Sequence, residues 1–322
     1  MALGIFYALI AGLMWGLAFI APLLLPEYPA AWLSVGRYLA FGMIALMLAW
    51  FDRASLRRLS RSDWLQAIKL AAIGNFLYYL CLASAIKRIG APLPTMIIGT
   101  LPVVIAICAN RRNAQRDGLL RWRSLLPSLL LIAAGIACVN RAELSGAMQQ
   151  TPIDGTRYAT GIALAIVAVA CWTWYPLRNA DWLRAHPDRR PRVWSTAQGV
   201  ATLPLALAGY ALLWIFTRAS SDAMPLPFGP RPALFIGVMA TIGLLTSWLG
   251  SLCWNEASQR MPTSLAGQLI VFETLAALGY AFVLRGRMPE PLTMLGIALL
   301  IAGVLWAVRL RPEPVVAQEH NA

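Results

Sequence analysis

Charge is scarce in this sequence. Asp, Glu, Lys and Arg make up 13% of the 322 residues, against roughly 25% in an ordinary soluble domain, while 59% are hydrophobic. A chain so poor in charge cannot cover a water-facing surface of its own size, which excludes a soluble globular class. Histidine is also rare: His186 sits in a basic stretch and His320 near the end. Neither lies in an apolar run, so an intramembrane Ser–His or metal-dependent hydrolase has no plausible constellation. The five cysteines (Cys81, Cys108, Cys138, Cys171 and Cys253) are odd in number, lie within apolar runs and form no CxxC pair. They suit neither a disulfide framework nor a metal site. No GxxxxGK[ST] motif is present to let ATP drive work directly. The N-terminus lacks the basic region and small-residue cleavage site of a secretory signal, so its first apolar run is expected to span rather than be removed. The expectation is no enzyme, no metal and no cofactor.

What is present is a series of apolar runs. A helix needs about 20 such residues to cross ~30 Å of hydrocarbon. Read with that window, the sequence predicts an all-α integral membrane protein of ten transmembrane helices: 3–25, 30–50, 65–86, 91–110 and 124–140, then 158–177, 194–216, 233–254, 263–284 and 292–310. The remaining segments at 141–157, 178–193 and 217–232 are too short to fold alone.

The formal charge of +13 arises from 27 basic residues set against 14 acidic ones. In a soluble protein it would suggest nucleic acid. Here almost every Arg lies between apolar runs, so the positive-inside rule accounts for it and no nucleic-acid partner is expected. With the N-terminus inside, cytoplasmic segments hold seventeen cations, including the clusters Arg53–Arg61, Arg111–Arg123 and Arg178–Arg192, and the opposite side holds eight. That asymmetry places both termini in the cytoplasm. Trp32, Trp50, Trp64, Trp122, Trp194 and Trp214 flank spans, as interfacial anchors should.

An internal repeat is the most informative pattern. ASAIKRIGAPLPTMIIGT (83–100) aligns without gaps on NEASQRMPTSLAGQLIVF (255–272), and the same offset pairs Cys81 with Cys253. LLIAAGIACV (130–139) resembles LLIAGVLWAV (299–308), and Trp15-Gly16 resembles Trp172-Thr173. Five helices per copy start the second copy on the opposite side of the membrane, so the repeats are inverted. The organisation expected is a first repeat at 1–140, an extracytoplasmic linker at 141–157, a second repeat at 158–310 and a cytoplasmic tail at 311–322. Inverted repeats provide two related arrangements, each open to one side, around a midplane site. This favours a transporter over a membrane enzyme or an assembly scaffold.

IGNFLYYLCLASAIKRIGAPLPTMIIGTLPVVIA (73–106) resembles the third and fourth helices of the EamA-type drug/metabolite transporters. TSLAGQLIVFETLAALGYAFVLRGRMPEPLTMLGIALLIAGVLWAV (263–308) resembles their ninth and tenth. Within that superfamily the chain is most similar to the YddG-type exporters of aromatic and other amino acids. The resemblance implies a ten-helix basket around a central cavity in a bacterial inner membrane, with amino acids as small-molecule substrates. A multidrug or other metabolite exporter of the same superfamily is the alternative. The Glu-Pro frequent in the family's ninth helix is here Glu273-Thr274, which removes any argument from a proline kink.

Several residues are candidates for the solute path. Glu273 is the one acidic residue near the middle of a span, where a charge costs from ~3 kcal/mol upward unless it faces a cavity or pairs. Arg37 is its natural partner, and the two suit a proton-coupling or substrate-ammonium site or a structural ion pair. Asn75, Tyr78 and Tyr79, at α-helical spacing with Leu82, define a polar aromatic face. Trp248 with Ser247 and Ser251, and Gln268 with Ser264, extend it, as a cavity lining or as helix–helix glue. Trp15, within a GxxxG pattern, and Trp172 are paired gate or cavity candidates. Pro22, Pro92, Pro94, Pro102, Pro176 and Pro204 are possible hinges. Proton coupling or facilitated transport, and a monomer or a homodimer, all remain open at this level.

Overall fold

Backbone N–H and C=O groups in hydrocarbon must pair within their own segment or within a closed barrel. Here every regular element among the described residues is helical. A computed structural model describes residues 1–89, 94, 97–113, 117, 120–147, 155–219, 224–285 and 290–310. The expected tail, the centre of the expected 141–157 linker and the start of the expected fourth span lie outside these residues, as does Pro92.

We label α1 Ala2–Gly16, α2 Ala30–Leu56, α3 the run from Arg61 to Ile89, α4 Leu101–Arg112 and α5 Trp122–Ala147. Then come α6 Gly155–Ala185, α7 Pro191–Ala219, α8 Pro232–Arg260, α9 the run from Thr263 to Arg285 and α10 Pro291–Arg309. A 3-10 turn at Leu17–Phe19 and a short helix at Ala21–Leu24 follow α1. Eight helices are long and apolar enough to cross a membrane; α1, with 15 residues, and α4, with 12, are shorter. The protein is therefore an all-α chain with the build of an integral membrane protein.

Local chemistry sets the ends. Ser60 caps α3 reciprocally with Asp63: its hydroxyl accepts from the Asp63 amide at 3.1 Å, and the Asp63 carboxylate accepts from the Ser60 amide at 2.8 Å. Proline opens α7, α8 and α10, where a missing amide proton costs nothing. Helix α5 runs on to Ala147, into the segment expected to be linker, because Arg-Ala-Glu-Leu at 141–144 are good helix formers.

Helix α6 runs through Pro176 and α7 through Pro204, whereas Pro22 and Pro102 lie in the first turns of helices. Within the long helices, departures from α geometry fall at two π-helical segments, Ala71–Leu77 in α3 and Gly243–Leu249 in α8, which lie 172 residues apart, the offset that aligns 83–100 on 255–272. Helix α9 is also broken, at Ile270 between Leu269 and Val271.

In a bilayer, lipid is as apolar as leucine, so helices associate through close packing and hydrogen bonds rather than hydrophobic expulsion. The pairs α2–α7 and α5–α10 are the most extensive. A Cβ on Gly42 would lie 2.8 Å from the Leu203 Cβ, and one on Gly135 2.8 Å from the Gly296 carbonyl oxygen. Helix α1 packs on α8 and α9, α6 packs on α3 and α4, and α4 packs on α9. Exchanging each helix with the one five places along maps this contact pattern onto itself.

The chain gathers its loops at two ends. At one, Arg192 pairs with Asp52, Arg112 with Asp181, and Arg184 with Asp117. At the other, Arg231 pairs with Glu27 at 2.5 Å, and the Tyr28 hydroxyl donates to the Phe228 carbonyl. Trp50, Trp122 and Trp214 are interfacial in character, each beneath an arginine of its own helix or the adjacent one: Arg53, Arg111 and Arg218. Trp32 and Trp194 are not anchors. Trp32 is buried against Tyr210, and Trp194 is fully buried, stacked on Trp182 at 3.6 Å with its indole N–H donated to Asn179.

Candidate functional site

The GxxxG pattern of α1 brings its backbone against the break in α9. A Cβ on Gly12 would lie 3.1 Å from the Glu273 nitrogen, and one on Gly16 2.7 Å from the Ala276 Cβ. Glu273 thus sits in the first turn of the second half of α9, where the positive end of a helix dipole favours an anion. The residue is partly accessible.

Trp15, one turn further along α1 than Gly12, meets Trp172 of α6 edge-to-face at 6.1 Å, so the two expected mates touch. Trp15 also packs on Trp254 at 5.2 Å and over Gly250. Trp172 is stacked between Tyr78 at 5.3 Å and Tyr175 at 5.0 Å. Gly250 and Tyr78 are again 172 residues apart, so each tryptophan leans on the corresponding position of α8 or α3. Where α8 offers glycine, Trp15 packs on backbone; where α3 offers tyrosine, Trp172 stacks on a ring. The Trp254 indole N–H is buried without a hydrogen-bond partner.

Beside this aromatic cluster lies a charged one. Tyr78 is within electrostatic reach of Glu273, Arg37, Tyr38 and Tyr79. Arg37 does not close an ion pair with Glu273: none within 4 Å joins them among the described residues, and the Arg37 Nε donates instead to Ser247 Oγ at 2.9 Å, its guanidinium over the Tyr38 ring.

The π segments decide which expected lining residues arrive. Each adds a residue to its turn and rotates the helix beyond it, so Asn75, Tyr78 and Tyr79 do not share the simple α-helical face that their spacing suggests. Tyr78 turns to Trp172. Tyr79 lies, like Tyr78, within electrostatic reach of Tyr38 and Arg37. Asn75 is half-buried within the segment. Its counterpart in the other π segment is Ser247, the residue that takes Arg37. Trp248 packs against the Tyr38–Phe41 cluster and donates to Thr196 Oγ1 at 3.3 Å. Gln268 does not line the cavity: it is fully buried and accepts from Ser128 Oγ at 2.5 Å, and that hydroxyl also reaches the Gly303 carbonyl. Its polarity holds α5, α9 and α10 together.

Composition and spacing did not single out a polar relay that runs from Trp172 along α6 towards the arginine-rich end. Tyr175 Oη donates to Gln198 Oε1 at 2.9 Å, Gln198 Nε2 to Asn179 Oδ1 at 3.0 Å, Asn179 Nδ2 to Asn255 Oδ1 at 2.8 Å, and Asn255 Nδ2 to Ser195 Oγ at 2.8 Å. All five are buried. One turn beyond Asp181, Arg184 pairs with Asp117 at 2.6 Å and donates to the Ser258 and Met261 carbonyls, while Asp117 Oδ2 accepts from the Thr263 amide and hydroxyl at 3.0 Å. The available signal was the presence of amides inside apolar helices, which must find partners. Among the described residues, no group of three or more His, Cys, Asp or Glu could hold a metal ion.

Comparison with known proteins agrees with this architecture. The EamA-like transporter family matches residues 2–141. The inner membrane protein YtfF of Escherichia coli is 56% identical over 310 residues, 96% of either chain. The "Uncharacterized transporter YwfM" of Bacillus subtilis is 27% identical, across 93% of this chain and 91% of its own. A "Probable terminal-alkyne amino-acid exporter" of Streptantibioticus cattleyicolor is 28% identical, across 63% and 71%. A solved crystal structure shares the fold with a TM-score of 0.72 at 16% identity, covering 94% of this chain and 96% of that one.

Proposed function

The chain belongs to the EamA-like transporter family and is a multi-pass inner-membrane protein, and on that footing we propose that it exports amino acids, with aromatic and other apolar side chains preferred. The observation that carries this reading is the meeting of the aromatic cluster of Trp15, Tyr78, Trp172 and Tyr175 with two opposite charges held apart. An amino acid is a zwitterion with one variable body. Arg37 suits its carboxylate, Glu273 its ammonium, and the stacked rings its side chain. The amino-acid exporter among the relatives supports the same substrate class.

The mechanism we infer is alternating access of two inverted five-helix repeats that cross the membrane ten times, with both termini on the cytoplasmic, arginine-rich side. Three features support it: the π segments at one offset, the swap symmetry of the helix contacts, and the break of α9 beside Glu273. The Tyr175–Ser195 relay and the Arg184 clamp close the arginine-rich end, which suits a state open to the outside.

The test is efflux of labelled phenylalanine and alanine from proteoliposomes, with and without a pH gradient, for wild type and Glu273→Gln. Gradient-driven transport that the substitution abolishes makes Glu273 the coupling site. Gradient-independent transport that survives it makes the protein a facilitator. If no amino acid moves, the substrate class is wrong, and the aromatic, anionic wall favours cationic drugs instead.

A further inference from the structure

A second site lies on the outer face of the bundle, away from the cavity. Helices α4 and α6 diverge to leave a groove of about 460 Å³. From α4 it takes Val104, Cys108 and Arg112, four residues apart and so on one stripe. From α6 it takes Ile166, Ala170, Thr173 and Arg178. Ile166 is 57% exposed, so this wall faces lipid rather than the interior.

The groove is graded along its length. Its deep part is apolar, and its mouth at the arginine-rich end carries Arg112 and Arg178 around a single carboxylate, Asp181, at 2.6 and 3.7 Å. Among the described residues, two guanidinium groups against one carboxylate leave a net positive mouth. From Val104 to Arg112 an α-helix rises ~12 Å, close to the ~15 Å of one hydrocarbon leaflet. Between mouth and apolar floor stands Thr173, 7% exposed, whose hydroxyl has no hydrogen-bond partner. It lies five residues, or ~7.5 Å, deeper than Arg178. An unpaired buried hydroxyl is unfavourable, so its place in the wall of an open groove calls for an acceptor that the described residues do not supply.

We propose that this groove binds one anionic phospholipid. Its phosphate meets Arg112 and Arg178, an ester carbonyl accepts from Thr173, and one acyl chain lies along Val104, Cys108, Ile166 and Ala170. The net positive mouth selects phosphatidylglycerol over a zwitterionic lipid, whose own cation it repels. The unpaired hydroxyl below the headgroup distinguishes a diacyl lipid from free phosphate. Because the groove borders α6, which also carries Trp172, bound lipid would sit against a helix of the transport path.

Native mass spectrometry of the purified full chain, titrated with phosphatidylglycerol or phosphatidylcholine, tests this. Wild type is expected to retain phosphatidylglycerol about fivefold more strongly, the contribution of one net cation at the surface, and Arg178→Gln to erase that preference. Thr173→Val is expected to weaken retention of both lipids about fivefold. Ala170→Trp, which fills the groove at an exposed position, is expected to abolish retention of both with the charges intact. Equal retention of the two lipids by wild type, or undiminished retention by Ala170→Trp, overturns the proposal. So does competition by glycerol phosphate at the concentration of the lipid. Should Ala170→Trp lose its monodisperse elution profile, Arg178→Gln, at an exposed position, and the nearly isosteric Thr173→Val decide the matter.

Discussion

Arg37 and Glu273 carry groups of opposite sign that form no ion pair with each other, and that separation suits the zwitterionic solute proposed above. A contact ion pair would have to be broken before either charge met substrate. Arg37 is instead held by Ser247 and Tyr38, and Glu273 by its place at a helix start. Removing a charge-assisted hydrogen bond costs about 1.5–3 kcal/mol, so Arg37→Gln is expected to weaken amino-acid binding about 10- to 100-fold. It should leave the corresponding amines, which lack the carboxylate, nearly unaffected; competition against labelled phenylalanine measures both. At the end opposite the arginine-rich one, the Arg231 guanidinium holds the Glu27 carboxyl below the usual carboxylate range. A depressed folded value stabilises above the unfolded value and is lost as pH falls through the folded one. The melting temperatures of wild type and Glu27→Gln should therefore differ at neutral pH and converge as the pH drops below the ordinary carboxylate range.

At the scale of the element, the two π segments and the break in α9 do the work that a proline kink would otherwise do. Each frees backbone groups and resets the rotation of the following helix, which is why Tyr78 faces Trp172. Small residues then admit the displaced surfaces. A Cβ on Gly74, in the first π segment, would lie 2.4 Å from the Tyr175 ring. At Gly16 the obstruction includes the Ala277 backbone nitrogen at 2.9 Å. Gly16→Val is expected to cost about 1–3 kcal/mol by overpacking, whereas Gly279→Ala, with nothing within 4 Å, should be neutral or slightly stabilising. Thermal unfolding in detergent separates the two. The sequence signals for this level were mixed. GxxxG at 12–16 was legible as close packing, but the π segments were not, because an inserted residue in a helix leaves no compositional trace.

At the scale of the whole molecule, the arginine-rich end is bridged by groups from both halves of the chain: Asp117 beside α4, Arg184 at the end of α6, and Thr263 at the start of α9. Asp117 is buried and Arg184 mostly so, and leaving one partner of such a pair alone costs about 3–5 kcal/mol. Arg184→Ala is expected to open that end. In inside-out vesicles, buried Cys253, on α8 near the relay, should then react faster with a membrane-impermeant maleimide than it does in wild type. An unchanged rate would mean that the clamp is structural and not a gate.

The class of this protein is readable in its sequence alone. Span length and the scarcity of charge follow from the cost of exposing polar groups to hydrocarbon, and that cost acts on each segment alone, so it can be read without knowing the neighbours. For the same reason Glu273, Arg37, Trp15 and Trp172 stood out as anomalies in their own helices. The rotation of each helix about its axis, and with it the choice of which polar groups meet, is settled in three dimensions only. Gln268 and Tyr175 look alike as polar groups within apolar runs, yet one bonds Ser128 between packed helices and the other begins a relay beneath the stacked Trp172. Hydropathy is indifferent to that rotation. It is fixed by side chains hundreds of positions apart, through contacts such as Gly16 on Ala276 and Arg37 on Ser247.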